Sequence, residues 1–138
     1  MKIYAVIDTN VLVSALFTHN AKAATFRVLE AMLYGVITPL YNKEILDEYE
    51  DVLKRPKFHF SDELVEQYLE IMAEKGIRSH RIPTDEPLPD PKDVVFYEVA
   101  MSKEDAYLVT GNTKHFPQKP IVVTPAEMVA ILEELDLL

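Results

Sequence analysis

The sequence predicts an α/β fold: a three-layer α/β/α sandwich whose central sheet is mainly parallel and has roughly five strands. Three observations carry that expectation. Short runs of β-formers recur along the chain, and most are followed by a longer segment with helical periodicity. The clearest runs, Ile3 to Ile7 and Ala106 to Val109, are continuously apolar rather than alternating, as strands covered on both faces are. The connecting segments have the length of crossover helices, which parallel strands require.

Taken in order, Ile3 to Ile7 reads as a buried strand that stops at the polar triplet Asp8-Thr9-Asn10. Residues 10–18 and 21–34 read as helices, the second with Ala24, Val28, Ala31 and Met32 along one stripe. Gly35 ends that helix, and Val36-Ile37-Thr38-Pro39 has the look of a second strand. A helix from about Lys43 to Lys54 follows and is stopped by Pro56. Ser61 caps the next helix, which runs to Lys75 with Gly76 as its stop. Ile77 to Ile82 is polar enough to be an edge strand. Four prolines within residues 83–91 imply an extended loop. Val94 to Met101 is apolar almost all round, hence a buried helix. Ala106 to Val109 is a central strand ended by Thr110-Gly111-Asn112, Ile121 to Val123 a last strand, and Pro125 to Leu135 a last helix.

The 138 residues, 49% of them hydrophobic, suit one domain over 1–138 with one packed core. Twenty-three acids against fourteen Lys and Arg give a net charge of −9. Such a chain does not coat nucleic acid nonspecifically, and any nucleic-acid activity needs local positive charge or metal ions. With no cysteine, disulfides, thiolate zinc sites and thiol catalysis are excluded. Asp8 and Asn10 interrupt the first apolar run, which argues against a secretory signal, and no stretch is long and apolar enough to span a bilayer. The expectation is a soluble, cytoplasmic protein without a membrane partner.

In a parallel sheet, function gathers at the carboxyl ends of the strands. That rule selects Asp8 and the Thr110-Gly111-Asn112 segment. Asp8, held directly behind five strand residues, suits a metal ligand or a nucleophile better than a simple helix cap. In the helix from Lys43 to Lys54, Ile45, Leu46, Tyr49, Val52 and Leu53 form the apolar stripe. Glu48 and Glu50 each lie about 100° from its centre, on opposite borders, and periodicity does not choose between them. In Asp90-Pro91-Lys92-Asp93 the spacing fits Asp90 as an N-cap and Pro91 as the first helical residue. Asp93 is balanced between first-turn charge and ligand, because it lines up with Phe96, Tyr97 and Ala100 on a buried face. His19, His59, His80 and His115 show no paired metal spacing and read as ordinary surface or loop residues. Lys54, Arg55 and Lys57 form the densest basic patch, either a helix end complementing its dipole or a phosphate contact.

Four pieces together carry a resemblance: Ile7-Asp8-Thr9-Asn10-Val11-Leu12-Val13, Glu48 within Leu46-Asp47-Glu48-Tyr49, Asp90-Pro91-Lys92-Asp93, and Leu108-Val109-Thr110-Gly111-Asn112 with Phe116. In order and spacing they resemble a PIN domain, in particular the small bacterial and archaeal type catalogued as toxins of toxin–antitoxin pairs. The resemblance implies an endoribonuclease whose strand-end carboxylates bind Mg²⁺ or Mn²⁺, with RNA as substrate, an antitoxin protein as partner and a homodimer as assembly. Carried over by position, Asp8, Glu48 and Asp93 are the first, second and third acids, which resolves the choice between Glu48 and Glu50. Thr9, Asn10, Thr110 and Asn112 are then supporting or phosphate-contacting groups. Relatives commonly carry another Asp at the place of Asn112 or three residues later, where this chain has His115.

Two phosphotransfer families on similar sheets fit less well. Haloacid-dehalogenase-type phosphatases need an Asp where Asn10 stands, and response-regulator receivers need paired acids after the first strand. The remaining alternative is a non-catalytic PIN-like module that binds protein or RNA with an incomplete metal site, and uncharged Asn112 is its motive.

Overall fold

The apolar run at the N-terminus becomes β1 (Ile3–Ile7), the middle strand of a five-stranded sheet in the computed structural model, which describes all 138 residues. Ala5, Val6 and Ile7 are each no more than 1% exposed, so both faces of β1 are covered. The chain continues through α1 (Thr9–Phe17), α2 (Ala24–Leu33), β2 (Ile37–Tyr41), α3 (Lys43–Leu53), α4 (Asp62–Lys75) and β3 (Ile77–Arg78). It then forms α5 (Val94–Ala100), β4 (Tyr107–Val109), β5 (Val122–Val123) and α6 (Pro125–Glu134). Short 3₁₀ turns stand at Pro56–Phe58, Pro91–Asp93 and Thr113–His115.

The strands are all parallel in the order β3-β2-β1-β4-β5. The expected three-layer α/β architecture is therefore the observed one. From β1 the chain winds outward to β2 and β3, then returns to lay β4 on the other side of β1. The reversal puts a topological switch point between β1 and β4, whose carboxyl ends open a crevice. Ile7 pairs with Val109 there, so Asp8 and Thr110 leave the sheet side by side.

Local details differ from the sequence reading or add to it. Pro39 does not end β2, which runs on to Tyr41. Its missing N–H does no harm, because β3 pairs with β2 only from Leu40 onward. The edge strand β3 is just Ile77–Arg78, and the polar residues after it leave the sheet. Gly76 ends α4 for reasons of space rather than chirality. A Cβ there would meet the Pro39 carbonyl oxygen at 2.5 Å, whereas Gly35 ends α2 with a left-handed φ of +79°. Helix α5 is buried as expected, but it contains Glu98, which is only 7% exposed.

Candidate active site

Asp8 is fixed by backbone and side-chain bonds at once. Its N–H donates to the Val109 carbonyl at 2.9 Å, which extends the ladder between β1 and β4 by one residue. Its backbone is extended and its Oδ1 accepts from the Thr9 N–H at 2.8 Å, so it also occupies the N-cap of α1. Oδ2 accepts from the Thr110 hydroxyl at 2.7 Å and from Asn10 Nδ2 at 3.2 Å. Asn10 Oδ1 in turn accepts from the Gly111 N–H at 3.1 Å, and Thr110 Oγ1 accepts from the Asn112 N–H at 3.0 Å. The ends of β1 and β4 are thus laced together by side chains. Burial pushes the Asp8 carboxyl above its ordinary range, against the opposing pull of the bonds from Thr110, Thr9 and Asn10.

Asp93 reaches the same crevice from the turn Pro91–Asp93. Asp90 caps that turn, accepting from the Lys92 N–H at 2.9 Å, while Asp93 makes no capping bond to α5. One carboxylate oxygen of Asp93, Oδ2, is buried without a hydrogen-bond donor. The His115 Nδ1 stands 3.3 Å from it. Burial, then the negative charges of Asp8 and Asp90, raise the Asp93 carboxyl to about 6, with His115 acting in the opposite direction. An orphaned buried oxygen among like charges is a place that a cation would stabilise.

The two border acids of α3 part company. Tyr49 is buried and its hydroxyl donates to the Ile7 carbonyl, which docks this stretch of α3 on the end of β1. Glu48 is consequently half-buried and within the field of Asp8. Burial and Asp51 raise its carboxyl, and Lys92 pulls it back. Glu50 is exposed and pairs with Lys54 at 3.7 Å. Thr9 is buried with its hydroxyl unpartnered, and Asn112 is exposed with no side-chain capping bond.

His115, which the sequence reading left among ordinary loop residues, is instead the side chain nearest Asp93 from the β4 side. No metal spacing marks it, because 22 residues and two turns separate it from Asp93. The basic patch is paired mostly with other acids, although Arg55 lies within the field of Glu48. Lys54 bridges Glu50 and Glu66, the latter at 3.0 Å, and Arg55 is held by Asp51 at 3.2 Å. Lys57 lies 5.0 Å over the Phe58 ring. A cavity of about 920 Å³ is lined by none of Asp8, Glu48 and Asp93 but begins at Thr113 and Lys114, in the turn that carries His115.

The family model described as PIN domain matches residues 4–114. The chain belongs to the PIN domain family. No curated protein and no solved structure matches it. PIN domains are generally metal-dependent nucleases. The residues at the switch point of this PIN domain have the chemistry of a hard-cation site. Every donor of Asp8, Asp93 and Glu48 is a hard oxygen, and Asp93 Oδ2 is unclaimed. No three acidic or histidine side chains converge closely enough to enclose an ion by themselves. That combination suits an ion that keeps most of its waters and takes one or two carboxylates, as Mg²⁺ does. No helix of the fold is long and apolar enough to cross a membrane.

Proposed function

We propose that this PIN domain is a divalent-metal-dependent endoribonuclease, with the whole chain, 1–138, acting as one catalytic domain. The single observation that supports the reading best is the pairing of Asp8 with Asp93 at the β1/β4 switch point, where Asp93 keeps a buried oxygen without a donor. Asp8, Asp93 and, from α3, Glu48 would hold Mg²⁺ or Mn²⁺. When bound, the cation neutralises charge on the scissile phosphate and makes an attacking water more acidic. Thr110 and Asn10 fix the orientation of the Asp8 carboxylate, as the supporting partners of metal ligands do. Exposed Asn112 is left to meet the phosphate or its water, and buried Thr9 supports the Asp8 carboxylate through its N–H. A role as the toxin of a toxin–antitoxin pair, with an antitoxin partner, a homodimeric assembly and a cytoplasmic location, follows from the family resemblance.

The test is cleavage of a labelled single-stranded RNA with and without metal. The expected result is hydrolysis in Mn²⁺ or Mg²⁺, none in EDTA, and loss of at least a hundredfold in Asp8→Asn with the fold retained. Undiminished cleavage in EDTA would overturn the reading. A second reading, a non-catalytic binding module, is favoured by the absence of a third converging ligand. It predicts RNA or protein binding that is indifferent to both EDTA and Asp8→Asn.

A further inference from the structure

A chain with net charge −9 receives an RNA strand only where its surface departs from that average. In the Lys54–Lys57 segment Lys54 and Arg55 are neutralised by Glu50, Glu66 and Asp51, and Lys57 lies over the Phe58 ring, two residues beyond them. Two lysines beside the acids are different. Lys92 immediately precedes Asp93 in one 3₁₀ turn, and Lys114 immediately precedes His115 in another. Both are exposed, and neither has a carboxylate within ion-pair distance. The 3.3 Å contact between His115 and Asp93 brings the two turns together, so Lys92 and Lys114 each stand one residue from that contact.

Beyond Lys114 the open groove of about 920 Å³ continues along the edge strand β5, past Thr113, Gln118 and Lys119. Its one acid, Glu127, is turned to the backbone, where it accepts from the Thr124 N–H at 2.9 Å. Lys119 is shared with Glu86 at 3.3 Å, which leaves Lys114 as the unneutralised cation of the groove. The volume lies at the upper end of the roughly 300–1,000 Å³ of ligand pockets, space for a length of strand rather than one phosphate.

We infer that this surface is the track of single-stranded RNA. Lys92 and Lys114 each take a backbone phosphate on either side of the phosphodiester presented to Asp8 and Asp93, and the strand leaves along the groove past Gln118. The inference rests on the RNA-cleaving reading and adds the path of the substrate to it.

Fluorescence anisotropy with a labelled, fully phosphorothioate oligoribonucleotide, which resists cleavage in Mg²⁺, tests it in Mg²⁺ over a range of salt. Each phosphate contact to a single strand contributes about 0.7 to the slope of log K against log salt. Lys92→Ala and Lys114→Ala should therefore each flatten the slope by about 0.7, and the double variant by about 1.4. Lys54→Ala/Arg55→Ala should leave it unchanged. In cleavage, the lysine variants should raise KM more than they lower kcat. An unchanged slope in the double variant, or a loss confined to Lys54→Ala/Arg55→Ala, overturns the track. If metal-dependent cleavage persists beside such unchanged slopes, only the track falls. A wild-type chain that neither binds nor cleaves RNA removes the nuclease reading and the track together.

Discussion

Asp93 concentrates the cost of the metal-free site in one carboxyl group. Its folded-state value of about 6 lies above the ordinary 3.8, so the native state holds this proton more tightly than the unfolded chain does. Stability therefore falls as pH rises from about 4 to about 6 and is flat for this group above that. At about 1.36 kcal/mol per pH unit the shift is worth at most about 3 kcal/mol. Asp93→Asn removes the effect. Metal-free Asp93→Asn should match the wild type near pH 4 and exceed it in stability at pH 7, by chemical denaturation in EDTA. A variant that is less stable than wild type at pH 7 would return Asp93 to the role of a dipole-complementing first-turn acid. At this scale Asp8 was legible, because a carboxylate that follows five strand residues has one place to be. Glu48 was not separable from Glu50 by periodicity, and the Tyr49 bond to Ile7 is what separates them. His115 was illegible, since its contact with Asp93 exists only once two distant turns dock.

Between elements, Arg81 ties the acid-bearing helices together. Its Nε donates to the buried Glu98 of α5 at 2.7 Å, and its Nη1 donates to Glu44, in the first turn of α3, at 2.9 Å and 3.1 Å. Glu98 also accepts from the Thr84 N–H at 2.8 Å, so the proline-rich segment leading to Asp93 hangs on the same carboxylate. Nearer Asp93, the Tyr97 hydroxyl donates to Glu86, which Lys119 meets at 3.3 Å. Arg81→Ala strips a buried carboxylate of its cation and should cost about 1–3 kcal/mol, as an unsatisfied buried group does. Glu44→Gln leaves Glu98 paired and breaks only an exposed link, expected to cost less than about 1 kcal/mol. Equal losses in the two variants, measured by urea denaturation, would mean that Glu98 does not anchor the loop. The elements themselves were legible from caps and apolar runs: Ser61 accepts from the Leu64 N–H, and Thr124 with Glu127 forms a capping box. Glu98 and Arg81 were not, because a lone acid in an apolar helix and a lone Arg in a loop show their pairing only in three dimensions.

For the whole molecule, the strand order matters more than any one contact. It gathers Asp8, Glu48 and Asp93 from β1, α3 and the turn before α5 at one edge, although 85 residues separate the first from the last. Burial raises all three carboxyls, Asp93 to about 6. Their mutual repulsion acts in the native state and is dispersed on unfolding, so a cation bound only by the folded chain stabilises the entire fold. The gain is RT ln(1 + [L]/Kd), about 2.7 kcal/mol when metal stands at a hundredfold excess over Kd. For a domain of this size that is a rise in Tm of about 6–10 °C. The rise should grow with the logarithm of Mn²⁺ or Mg²⁺ concentration and should be lost in Asp93→Asn. It should also weaken below pH 6, where protons compete for the Asp93 carboxylate. Differential scanning calorimetry over micromolar to millimolar metal measures it. A Tm that ignores both ions across that range would show that the three acids, though brought together by the fold, do not form a metal site.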